Sequence, residues 1–208
     1  MTKNASLQAT ILHLSATDTT RNAHPTQVSW SQIKFVDTPK CLIATNSRYD
    51  REGNHELCFT RRTISSEQKG LNGIHHRMLE GARHYTDVVS SVMCSISDDY
   101  IVCYDARTTK RLLAKAGAPV DDYKFICLLS IVKKLYPDMG SYTIPTLIYE
   151  FCENTAISYM PHNNHGRYDA TFIRYILRQV CVLNNLYSMD DLYYESQGEP
   201  LTAKEAGL

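Results

Sequence analysis

Tyr100-Ile101-Val102-Cys103-Tyr104-Asp105-Ala106 decides the fold. A short apolar run bounded by an aspartate reads as a fully buried strand. Asp is favoured at helix N-caps, so the chain turns straight into a helix over about Thr108 to Ala116, stopped by Gly117 and Pro119. A strand running directly into a helix belongs to a layered α/β sheet.

Outward from this unit the pattern extends in both directions. Upstream, Val88, Val89, Val92, Met93 and Ile96 recur at helical spacing. Before Gly70, strands are expected over Gln32 to Asp37, Cys41 to Ser47 and Glu56 to Thr63, the last two joined by the turn Asp50-Arg51-Glu52-Gly53-Asn54. Downstream, helices are expected over Lys124 to Leu135, ended by Pro137, and over Thr143 to Cys152. The longest helix spans Tyr168 to Tyr187, with Ile173, Ile176, Leu177, Val180 and Leu183 on one face. Strands first, then alternating helix and strand, specify a mixed sheet with helices on its faces.

The ends read differently. Residues 1–28 are polar, rich in Thr, Asn and Ser around Ala9-Thr10-Ile11-Leu12, and are set apart as an extension carrying at most one strand. Residues 29–187 form the domain, and 188–208 a C-terminal tail. A chain of 208 residues has room for one such domain.

Twenty-two basic and 22 acidic residues cancel, which excludes a global field drawing the molecule to nucleic acid or anionic lipid. Any such binding has to come from a local patch. No apolar run is long enough to span a bilayer, and Met1 to Ser15 lacks the pattern of a signal peptide. A cytoplasmic location and no membrane partner are expected. Seven cysteines without a Cys-x-x-Cys pair argue against a zinc ribbon or a disulfide framework. They read as small buried apolar residues.

Five fragments in order, Phe35-Val36-Asp37-Thr38, Gly73-Ile74-His75, Ile101 to Ala106, Ile126-Cys127-Leu128 with Tyr136-Pro137, and Tyr168-Asp169-Ala170, resemble the DEDDh 3′→5′ exonucleases. Within them the chain looks most like the bacterial exodeoxyribonuclease X group, over residues 32–185. The resemblance implies a ribonuclease H-like α/β fold. It also implies a site in which an Asp-x-Glu pair, a second Asp, a last Asp and a histidine gather two divalent ions and a general base. Asp37 matches the first Asp and Asp169 the last. The Glu position is Pro39, the second Asp is Thr109 and the histidine is Asn164. Proline and threonine lack the carboxylate a hard cation needs, and an amide accepts no proton.

Two expectations follow for function. The first is a catalytically degenerate exonuclease-like domain acting as a binding or scaffolding module for a protein complex or a nucleic-acid end, with no cofactor. The second is a divergent, active 3′→5′ exonuclease on DNA or RNA, using Mg or Mn held by Asp37 and Asp169 with help from Asp105, and His165 as base after a one-residue shift of its loop. For Asp105 an N-cap is the favoured reading over a ligand. His75, His76, Arg77, Arg107 and Arg111 form a candidate phosphate-binding face, weighed against an ordinary solvated surface. A protein partner is expected as well, because fourteen tyrosines, three of them at 187, 193 and 194, suit an interface.

Overall fold

The computed structural model describes residues 8–38, 41–45, 54–97, 99–152, 165–186 and 188–197. Strands β1 (Gln8–Ala16) and β2 (Pro25–Thr38) form an antiparallel pair, with Gln8 opposite Lys34 and His13 opposite Ser29. β3 (Cys41–Thr45) pairs with the second half of β2, and β4 (Asn54–Leu57) with its first half. Then follow α1 (Ser66–Asn72), a 3-10 turn (His76–Leu79), α2 (Tyr85–Ser95), β5 (Tyr100–Cys103), α3 (Ala106–Lys115), β6 (Lys124–Cys127), α4 (Leu128–Leu135), α5 (Ile144–Cys152), α6 (His165–Asn184) and α7 (Met189–Ser196). The sheet order is β3-β2-β1-β5-β6, with β1, β5 and β6 parallel to one another. This is the expected α/β mixed sheet.

Both faces are covered. Ala9, Ile11, Val102 and Ile126 pack under α4, α5, α6 and α7, with Phe172, Ile173, Ile176 and Leu177 as the helical side of that core. Leu12, Leu14, Ile101, Cys103 and Phe125 point the other way, against Val88, Val89 and Val92 of α2 and Leu112 and Leu113 of α3. β5, α3, α5 and α6 therefore form where the pattern of the sequence puts them. Leu183, expected on the buried face of α6, is 59% exposed. Asn184 takes the inward place, its Nδ2 donating to the Tyr136 hydroxyl at 2.7 Å.

Three expectations are corrected. Residues 1–28 are not an extension, because β1 is the middle strand of the sheet and Ala9, Ile11 and Leu12 are fully buried. A strand covered on both faces has no polar alternation, which is why its pattern reads as formless. Lys124 to Cys127 is a strand rather than the start of a helix, since it finds a parallel partner in β5. Part of the presumed tail is α7, capped by the Ser188 hydroxyl and holding Met189 and Leu192 in the core.

Candidate functional site

In a sheet of parallel strands, ligands gather beyond the carboxyl ends. β1 and β5 run the same way, with Ile11 level with Val102, so their carboxyl ends lie side by side. Side chains alternate along a strand. Ala9 and Ile11 face α6, so His13 and Ser15 face it too. His13 Nε2 stands 2.9 Å from Asp169 Oδ2 on α6, and Asp169 is only 6% exposed.

Above this pair opens a cavity of about 480 Å³. Its floor is the end of β1 from His13 to Ala16 with Asp169 and Phe172 of α6; one wall is Ile144, Pro145 and Ile148 of α5. The other side is formed by Asp18 and Thr19, Gln68, Leu71 and Asn72 of α1, Tyr104, and Thr108 and Arg111 of α3. Local chemistry fixes each wall. The Ser65 hydroxyl accepts from Gln68 N to start α1, and Gly73 ends it at φ 65°, a left-handed turn that favours glycine. Tyr104 donates its hydroxyl to the Tyr142 carbonyl, tying β5 to the segment that leads into α5. Burial, with Asp105 adjacent, pushes that phenol up to about 12.

Asp18 guards the mouth. Its carboxylate accepts from Arg62 Nε at 2.8 Å, Thr20 N at 2.8 Å, Thr17 Oγ1 at 3.0 Å and the Thr20 hydroxyl. Burial by itself would raise this carboxyl, but the bonds from Thr20, Arg62 and Thr17 together hold it well below the ordinary 3.8. A carboxyl stabilised in its charged form strengthens the fold above its unfolded value and gives up that contribution as pH falls toward the folded one. The Asp18→Asn variant is therefore expected to lose about 1–2 kcal/mol at neutral pH. Its deficit against the parent should shrink once the pH drops below about 4, as urea melts across that range will show.

The residues singled out in the sequence fall in different places. Asp105 is the N-cap of α3, its Oδ1 accepting from Arg107 N at 3.0 Å and Thr108 N at 3.3 Å, so the capping reading holds. Asp37 is not brought to Asp169. It pairs with Leu42 of β3 eight residues along β2 from Ser29, the partner of His13. That is roughly 27 Å of strand, far beyond the reach of one metal site. Thr109 is buried and does not line the cavity; Thr108 does, with its hydroxyl on Asp105 Oδ2 at 2.7 Å. Pro39 and Asn164 lie outside the described residues, and His165 begins α6 with its side chain outside them. Arg111 lines the cavity, whereas His75, His76, Arg77 and Arg107 are exposed.

His13 and Ser15 are the site residues that sequence reasoning missed. The signal was there: two polar side chains spaced by two at the end of the apolar run Ile11-Leu12.

The fold family implies a pair of divalent ions, and the described side chains do not fit them. Two carboxylates line the cavity, and each is already met by a base, Asp169 by His13 and Asp18 by Arg62. Hard cations take several oxygen ligands. Among the described residues no group of three or more His, Cys, Asp or Glu could hold a metal ion.

No protein-family model and no curated protein sequence matches the chain. Solved structures do. Exonuclease X in complex with 5′ overhanging duplex DNA aligns with a TM-score of 0.64 at 14% identity, over 90% of this chain and 99% of that one. The 3′-exonuclease solved for 3′-end specific recognition of a histone mRNA stem-loop aligns at 0.61 and 11%, over 89% and 85%. E. coli exonuclease I in complex with a dT13 oligonucleotide aligns at 0.59 and 12%, over 86% and 43%. At such identities the likeness is one of fold: the chain is built as the DEDDh exonucleases are. No helix among the described residues is long and apolar enough to cross a membrane.

Proposed function

We propose that this exonuclease-fold chain is a binding module that engages a nucleic-acid end without cutting it. One observation carries the reading: the acid at the carboxyl end of the sheet, Asp169, is closed off by an imidazole from the middle strand, at 2.9 Å. An imidazole supplies no anionic oxygen to share between two hard cations, and its contact with Asp169 takes up one carboxylate oxygen. The solved neighbours are described with DNA and with an mRNA stem-loop, which supports nucleic acid as the partner. Exposed Arg77 and Arg107 supply local positive charge despite a net charge of zero. A protein partner is part of the proposal too, supported by Tyr149 and Tyr194, which are 65% and 74% exposed.

The test is a pair of measurements on 3′-labelled single-stranded DNA and RNA. With Mg²⁺ or Mn²⁺ the label is expected to stay on the full-length strand. In chelator, fluorescence anisotropy is expected to show binding that weakens as salt rises. Label release that disappears in the Asp169→Asn variant would establish the second reading, a divergent metal-dependent exonuclease.

A further inference from the structure

Three buried polar atoms around the cavity have no hydrogen-bond partner: Ser15 Oγ, Asn72 Oδ1 and Arg111 Nε. Ser15 is 5% exposed and Asn72 6%. Native folds leave few such atoms unsatisfied, and each calls for a reason. Three of them facing one cavity of ligand-holding size give the same reason, an occupant.

The charges say which kind. Asp169 is met by His13 and Asp18 by Arg62. Arg111 has no carboxylate partner among the described residues, and its Nη1 reaches only the Thr19 carbonyl, at 3.5 Å. One cation is therefore left over in a wall that also carries two fixed carboxylates. Such a wall favours a single negative charge and repels a dianion. The remaining surface is apolar, formed by Leu71, Ile144, Pro145, Ile148 and Phe172.

We infer that this cavity binds a small organic monoanion, a carboxylate on a compact apolar or aromatic body. The carboxylate meets the Arg111 guanidinium, the body lies against α5 and Phe172, and Ser15 and Asn72 take a polar group of the ligand. No divalent ion takes part. The inference concerns the occupant of the cavity and does not rest on the nucleic-acid reading, so either can fail alone.

Calorimetry and thermal unfolding on the full chain in chelator test it, with phenylacetate as probe, phenylacetamide as its uncharged twin, and AMP as a phosphate dianion. Phenylacetate is expected to bind at least about tenfold more tightly than the amide, because a guanidinium–carboxylate bond is charge-assisted. AMP is expected to bind more weakly than the acid. Arg111→Met is expected to reduce the affinity for the acid to that for the amide; Arg111→Gln serves where the first variant fails to fold. Equal binding of acid and amide, tighter binding of AMP, acid binding that survives loss of Arg111, or no saturable binding of the acid would each overturn it. The acid–amide comparison needs no variant.

Discussion

A chain beginning at Pro25 is expected not to fold. The truncation removes β1, whose Ala9, Ile11 and Leu12 are fully buried and whose Leu14 is 6% exposed. Burying each of the larger side chains contributes about 1.5–3 kcal/mol, against a whole stability of about 5–15 kcal/mol. The topology makes the loss worse. β1 is the only strand between β2 and β5, so without it the β2–β3–β4 unit and the β5–β6 pair share no edge. Trp30, the single tryptophan, sits on β2 opposite Leu12 and reports on this junction. Its emission should shift toward that of an unfolded chain and the cooperative melt should vanish. A truncated chain that melts cooperatively would mean that β1 is dispensable, and the account of the sheet given above would fall.

The second large effect is expected at the site itself. In the His13→Ala variant Asp169 keeps its charge, at 6% exposure, and loses the imidazole that meets it. Stranding a buried charge costs about 3 kcal/mol or more. For a domain of this size that is a fall in Tm of roughly 6–12 °C. Adding Asp169→Asn in the same chain should recover part of the loss, because the charge that had become costly is gone. The double-mutant cycle isolates this coupling. A single variant within about 1 kcal/mol of the parent would show that Asp169 is hydrated and that the pair does not close the site.

How far the sequence could be read depended on what each segment packs against. Tyr100 to Asp105 and the helix after it were legible because a buried strand, a cap and a helical stripe follow one another within a few residues. So was α6, whose Ile173, Ile176, Leu177 and Val180 fill one face. The site was less legible. Phe35-Val36-Asp37 imitates the apolar run ending in an acid that the family likeness leads one to seek, yet it lies on the antiparallel neighbour and ends at the far side of the sheet. The strand that holds the floor has His13 and Ser15 where such an acid was sought, and its apolar residues are buried on both faces. Neither a period nor a carboxylate therefore marked it. Local sequence could weigh Asp105 correctly, because a cap is decided within three residues. It could not show that His13 meets Asp169, a contact made across more than half the chain.

The placement of β1 also has a kinetic side. Its first edge is covered within one hairpin, but its second waits for Ile101 and Val102, about ninety residues later in the chain. Closing so long a loop costs entropy before any contact repays it, so this parallel pairing is a slow event with high contact order. On the ribosome, Ile11 and its neighbours would emerge early and stay half-covered until β5 follows, an interval in which an open strand edge invites mispairing or a chaperone.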